Sequence, residues 1–333
     1  MTDTPRPVGE HDSLRLLSAE FARAAAGNDD AAFVQLFTAM VNISDPIEKA
    51  PPSQRAEAAM RALNRSSRSV PAGATVGLRS LGGGGPAEVR DTIWADELFV
   101  ENSRRVIDDR LRLIGAEPTA EFPDCVAVGS DRGWCCTGAL VAPNLVITAA
   151  HCAPDCSARV FVGNNVDDAT AGTAYSVADA HVHPEYRGRQ SDVLGLVLND
   201  EIQGVEPRAI ADPDLLANMR SVRLVGFGTT DVWGLGGYGQ KRVVDVPVAS
   251  SDPRFGADPQ VEFVAGAPFL DRDSCKGDSG GPAYVSDGVG WRLAGATSRA
   301  TDSAVRTCGD GGIYTRVAAF LDWMRSLPGV RWT

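Results

Sequence analysis

Asp273-Ser274-Cys275-Lys276-Gly277-Asp278-Ser279-Gly280-Gly281-Pro282 is the stretch of this chain best suited to covalent chemistry. Neither a packed core nor an ordinary turn requires a serine set between an aspartate and two glycines. The glycines allow a sharp fold in which successive backbone N–H groups point toward the serine oxygen. Such a loop presents a hydroxyl nucleophile and also binds the negative charge that develops on the carbonyl it attacks. A chance glycine-rich turn would read the same way in isolation, so a base and an orienting carboxylate are needed elsewhere. His151 ends the apolar run Leu145-Val146-Ile147-Thr148-Ala149-Ala150, and Asp192 opens the apolar run that continues to Leu198. A carboxylate at the mouth of a buried strand is costly unless it accepts hydrogen bonds. An imidazole N–H supplies one, and the pairing fixes the tautomer that a general base needs. A lone histidine after an apolar run is more often structural; the set of three points to acyl transfer.

The elements that must position these residues are strands. Short β-rich runs at 126–128, 139–147, 159–162, 222–227, 243–248 and 292–296 are separated by Gly, Pro and Asp turns. That rhythm suggests an all-β sandwich or pair of barrels rather than alternating βα units. Residues 1–112 are a different kind of sequence. Leu14, Leu17 and Phe21, then Phe33, Leu36, Phe37 and Met40, recur at helical spacing, and residues 27–30 read as a stop and restart. A third, alanine-rich helix is expected over 53–63, and the four glycines at 82–85 read as a flexible linker. Helical spacing returns around Trp94, Leu98, Phe99, Val106 and Ile107. The expected organisation is a helical N-terminal regulatory or pro-region (1–85), a helical connector (86–112) and a β-rich domain (113–333).

With all three residues in hand, the chain resembles the trypsin/chymotrypsin family of serine endopeptidases. TAAHC, DVLGLVL and GDSGGP correspond to that family's three signature segments, in its order of His, Asp and Ser. His183-Pro184, Gly226-Phe227-Gly228 and Ile313-Tyr314-Thr315-Arg316-Val317 match further family segments between and after them. The resemblance covers about two thirds of the chain, from Leu113 to the C-terminus. It implies two six-stranded β-barrels with the triad in the cleft between them, and a C-terminal helix near 320–324.

The resemblance also assigns roles. His151, Asp192 and Ser279 become the catalytic residues, and the N–H groups of Gly277 and Ser279 the oxyanion hole. Asp273, six residues before Ser279, stands at the base of the specificity pocket, with Ser274, Ser298 and Gly312 around it. A carboxylate there selects Arg or Lys in the protein or peptide substrate. The opposite wall departs from the family: Arg299 replaces the usual tryptophan, Ala300 the usual glycine, and the loop 300–308 is longer than in trypsin. These changes are expected to narrow or re-charge the subsites before the cleaved bond. Arg112-Leu113-Ile114-Gly115 resembles the family's activation site, at which cleavage after the basic residue frees an amine that pairs with the aspartate before the nucleophile, here Asp278. An uncut linker strand is the competing reading. Family spacing further implies the disulfides Cys136–Cys152 and Cys275–Cys308, whereas Cys125, Cys135 and Cys156 are left open, with Cys135–Cys156 conceivable.

Composition bounds the alternatives. A net charge of −11 argues against a general nucleic-acid binder, and residues 113–333 carry −9 of it, from 18 basic and 27 acidic side chains. No apolar run is long enough to cross a membrane. The cysteines lack the CxxC pairs of a metal site, and the implied mechanism needs no cofactor. Disulfides suit an oxidising compartment, whereas the start MTDTPRPVGEHD lacks the pattern of a secretory leader and points to the cytosol. Two function classes stand: a zymogen cleaving after Arg or Lys, and a protease-fold binding protein in which proteolysis is lost or controlled by a partner recruited through residues 1–112.

Overall fold

The structure, a computed structural model, describes residues 117–332 apart from 169, 231–236, 268–272, 303 and 305–307, together with 93, 96–99, 101 and 102. The expected helices over 1–85 and the Arg112–Leu113 junction lie outside the described residues.

Two β-barrels dominate. The first is closed from β2 (Cys125–Ser130), β3 (Gly133–Ala142), β4 (Leu145–Thr148), β5 (Arg159–Gly163), β6 (Gly172–Val182) and β7 (Leu194–Leu198), in the order β2-β3-β4-β7-β6-β5. The second contains β8 (Ser221–Gly226), β9 (Arg242–Ala249), β10 (Glu262–Ala265), β11 (Pro282–Ser286), β12 (Trp291–Ala300) and β13 (Gly312–Arg316), and closes where β8 pairs with β9. The short strand β1 (Glu117–Pro118) adds to the outside of β9 at Val243 and Arg242. The apolar run at 139–147 is two strands rather than one. Pro143 and Asn144 turn the chain between β3 and β4, because proline gives up a ladder N–H and asparagine suits turn geometry.

β4 and β7 are buried along their whole length, so their apolar residues do not alternate with polar ones. One face of each lines the barrel. The other packs under the C-terminal segment, where a Cβ on Gly195 would meet Leu327 at 2.6 Å. That segment is a 3-10 turn, Val317–Phe320, running into the helix Leu321–Ser326. Val126, Val128, Leu140, Val146, Leu194 and Leu196 fill the first barrel, and Val222, Val246, Val248, Phe263 and Tyr314 the second.

A third cluster holds the barrels together, with Phe122 stacked on Tyr284 at 4.8 Å between ring centres. At its heart lies the fully buried Asp124. Its carboxylate accepts from Arg208 (2.5 and 3.1 Å) and from the Tyr284 hydroxyl (2.6 Å). Asp124 precedes the first barrel, Arg208 lies between the barrels and Tyr284 is on β11, so one charge ties all three together. On the second barrel's side, the segment 96–102 docks on the end of β9: buried Asn102 donates to the Val248 carbonyl at 2.9 Å, and Asp96 accepts from the Ser250 N–H at 3.1 Å.

Removing one partner of a buried ion pair leaves the other uncompensated. Arg208→Met is therefore expected to lower stability toward urea by about 3 kcal/mol, with part of the loss regained on adding Asp124→Asn. An unchanged midpoint would show that Asp124 does not depend on the guanidinium.

Candidate active site

His151 and Asp192 come from the first barrel. β4 ends at Thr148, and a 3-10 turn, Ala150–Cys152, then projects the imidazole into the open, leaving its side chain 35% exposed. Two disulfides hold this turn: Cys136–Cys152 to β3, and Cys135–Cys156 just beyond it. Each cross-link is of the kind that adds about 2–4 kcal/mol. Asp192 stands two residues before β7, behind Ser191, whose φ of 54° is left-handed and uncommon for a residue with a Cβ. The Val193 N–H closes this turn on the Ser191 carbonyl at 2.8 Å. The result directs the Asp192 carboxylate toward the histidine.

That carboxylate is almost fully buried and receives three hydrogen bonds. The His151 backbone N–H donates to Oδ1 at 3.0 Å, and His151 Nδ1 lies 2.8 Å from Oδ2. The third comes from the second barrel, where the Ser298 hydroxyl on β12 donates to Oδ2 at 2.7 Å. The Ser298 hydroxyl also accepts from Arg299 Nη1 at 3.2 Å. With Nδ1 facing the carboxylate, Nε2 is left as the proton-accepting nitrogen.

Ser279 lies in the loop ahead of β11, tied by the third disulfide, Cys275–Cys308. Thr137 of β3 anchors the loop twice: its N–H donates to the Ser279 carbonyl at 2.9 Å and its hydroxyl to the Gly277 carbonyl at 2.7 Å. Gly277 has a φ of 96°, a conformation that a side chain would strain. Among the described residues, the N–H groups of Gly277 and Ser279 have no hydrogen-bond partner. Nor does the Ser279 hydroxyl bond to His151 in this chain. Both residues are half-buried, and two backbone donors that the protein leaves free beside a hydroxyl suit a developing oxyanion.

Two further carboxylates border one small cavity of about 40 Å³. Asp273 Oδ1 accepts from the Tyr314 hydroxyl (2.8 Å) and the Ser274 N–H (2.7 Å), while Oδ2 has no partner among the described residues. Burial pushes its carboxyl up to about 7, with nearby Asp310 adding to the rise. Gly312 lies against it, where an added Cβ would meet Oδ1 at 3.0 Å. Asp278 accepts from the Gly228 N–H (2.7 Å) and the Cys275 N–H (2.9 Å). Gly228 can have no side chain, since a Cβ there would lie 2.3 Å from the Asp278 carboxylate. Burial raises the Asp278 carboxyl to about 6, and Arg242 only partly offsets it.

A double barrel carrying this arrangement between its halves is the structure of a chymotrypsin-like serine protease. The trypsin family model matches residues 115–324, so the chain belongs to the trypsin family. It is 34% identical over 223 residues to a trypsin of Saccharopolyspora erythraea, covering 63% of this chain and 95% of that protein. It is also similar to the rat chymotrypsin-like elastase family member 1 (27% identity, 58% of this chain and 78% of the elastase). A third relative is melanization protease 1 of Drosophila melanogaster, 27% identical over 65% of each chain.

Of the residues singled out from the sequence, His151 and Asp192 are in direct contact, Asp273 and Ser274 line one cavity, and Gly312 lies against Asp273. Missed were the turn at Ser191 and the pairing of Ser298 with Asp192, neither of which leaves a local signature. His183 is structural: it packs edge-on against Phe320 and Trp323, and burial lowers its pKa.

The folded chain holds the carboxyls of Asp278 and Asp273 above their ordinary 3.8, so between pH 4 and 7 it binds protons that the unfolded chain has released. Stability from these groups is present below pH 4 and is lost as pH rises through about 6 and 7. Relative to Asp278→Asn, the uncut wild type should lose about 2 kcal/mol between pH 4 and 7 in urea titrations. Parallel curves for the two proteins would contradict the raised value.

Proposed function

We propose that the protein is a serine endopeptidase that hydrolyses peptide bonds after Arg or Lys, made as a zymogen cut between Arg112 and Leu113. The observation that carries this reading is the pair of unpartnered N–H groups at Gly277 and Ser279, in the loop that bears the hydroxyl, together with the His151–Asp192 contact. As Ser279 Oγ forms its bond to the scissile carbonyl carbon, His151 Nε2 takes the hydroxyl proton. Asp192, on Nδ1, stabilises the imidazolium. The carbonyl oxygen becomes an oxyanion held by the two N–H groups; losing one such donor slows comparable enzymes by about 100–1,000-fold. Collapse breaks the C–N bond, and the proton on Nε2 passes to the departing amine. Water, deprotonated by His151, then hydrolyses the acyl-enzyme ester and returns the proton to Ser279.

The free oxygen of Asp273 supports cleavage after Arg or Lys. A guanidinium or ammonium bound there offsets its burial, whereas an apolar side chain leaves the charge unpaired. The zymogen reading is supported by Asp278, a half-buried carboxylate with two N–H donors and no cation paired to it among the described residues. The cavity beside it is lined by Arg242 and Val243, the two residues that pair with β1. Leu113 precedes β1 by four residues, a span of up to about 14 Å when extended. An amine freed by cleavage would supply the missing positive charge and fix the loop.

Incubating the full chain with an arginyl fluorogenic peptide, beside Ser279→Ala, tests both parts. Turnover and a new N-terminus at Leu113, each absent from the variant, are expected. Inhibition by benzamidine should weaken about tenfold per pH unit below 7, as Asp273 takes up its proton. Turnover without any cut would remove the zymogen step. No turnover by either the intact or the Arg112-cleaved form would leave a protease-fold binding protein.

A further inference from the structure

We propose that the enzyme selects substrates carrying Asp or Glu at the fourth residue back from the cleaved bond, held by a basic pocket that Arg187, Arg189 and Arg299 build beside the active site. This rests on the proposed cleavage after Arg or Lys and adds a second recognition element to it.

The pocket is a cleft of about 400 Å³ bordered by these three arginines, Pro253 and Asp302. Its place is fixed by chain connectivity: Arg189 lies three residues before Asp192, and Arg299 directly follows Ser298, which bonds to Asp192. Arg299 forms the base. Its guanidinium makes a two-pronged pair with the fully buried Glu262 (2.6 and 2.8 Å), and also donates to the carbonyls of Gly256 (2.8 Å) and Arg189 (3.2 Å). Both walls are thereby held, and the Arg299 charge is balanced from below.

The other two guanidiniums differ. Arg189 pairs with Asp302 at 2.6 Å, but both side chains are more than half exposed. Such a pair is worth about 0–1 kcal/mol and gives way readily to another carboxylate. Arg187 donates only to the carbonyls of Pro184 and Tyr186, and among the described residues no carboxylate pairs with it. The pocket is thus left with a net positive charge on a domain that is otherwise acidic.

Beyond Ala296, β12 no longer pairs with β11, and Arg299 and Ala300 pair only with β13. An extended substrate can add to that open edge. Side chains alternate along a strand, so the second and fourth residues back share one face, and the first and third the other. With the first residue directed to Asp273, the fourth lies about 10 Å further along, on the face that the second shares. The chain's own junction reads Asp109-Arg110-Leu111-Arg112, which puts an aspartate at the fourth position and turns the intervening Arg110 away.

The test uses the full chain, intact or cut at Arg112, and three peptides that differ only in their first residue: acetyl-Asp-, acetyl-Asn- and acetyl-Lys-Ala-Leu-Arg-aminomethylcoumarin. kcat/KM is expected to be about 5-fold higher for Asp than for Asn and higher still over Lys, with the differences shrinking in about 0.5 M NaCl. Arg187→Glu should reverse the order of Asp and Lys. Equal values for all three peptides, or no reversal, would overturn the basic-pocket assignment while leaving cleavage after arginine standing. Hydrolysis of none of them would overturn both.

Discussion

The position of the Asp192 carboxylate is the constraint on which the rest of this structure depends. A buried charge is tolerated only when hydrogen bonds replace its water, and Asp192 obtains its donors from both barrels. His151 supplies two from the first barrel, and Ser298 on β12 supplies the third from the second. The Asp192 carbonyl, in turn, accepts from the Thr315 hydroxyl on β13 at 3.2 Å. Shifting one barrel against the other would strip donors from the charge, so the docking of the barrels and the aim of the imidazole are set together. The Asp124–Arg208–Tyr284 cluster works in the same way on the far side. Two buried carboxylates, each satisfied across the interface, do what apolar contact alone does less specifically.

Set beside Asp192, the carboxylates of Asp273 and Asp278 are incompletely satisfied. Among the described residues, one oxygen of Asp273 has no donor, and Asp278 has N–H partners but no paired cation. Burial raises their carboxyls to about 7 and 6, and the hydrogen bonds they do accept offset only part of that rise. Each is left with a deficit that the proposed substrate cation at Asp273 and the proposed freed amine at Asp278 would relieve. Both residues border the same small cavity.

Much of this was legible in the sequence because strands and nucleophile loops leave local marks. Runs of valine and leucine broken by Gly, Pro and Asp gave the β-rich domain, and the glycines about Ser279 gave the loop. The turn at Pro143-Asn144 was readable but was overlooked within one long apolar run. Other features were not legible because they join residues remote in sequence. Ser298 and Asp192 are 106 positions apart, Asp124 and Tyr284 160, and Arg299 and Glu262 37. Nothing in a glutamate at 262 foretells a fully buried partner for an arginine. The left-handed Ser191 is hidden for another reason: a serine carries no sign of its backbone angle, as a glycine would.

Arg299 joins the basic pocket to the Asp192–His151 pair. It donates to the Ser298 hydroxyl, which donates to Asp192, which orients His151. In such a chain each donor polarises the next, so a change at the guanidinium is felt at the imidazole. The register of β12 against β13 shifts between Thr297 and Arg299, and the strand's usual alternation is broken there. Two neighbouring side chains can consequently meet instead of pointing to opposite faces. An aromatic residue at this position would furnish a flat wall but no donor to Ser298. The arginine supplies the donor, and its buried glutamate keeps the added charge from standing alone. In the proposed pocket, charge selection falls to the exposed Arg187 and Arg189, while the buried Arg299–Glu262 pair holds the relay to Asp192 fixed.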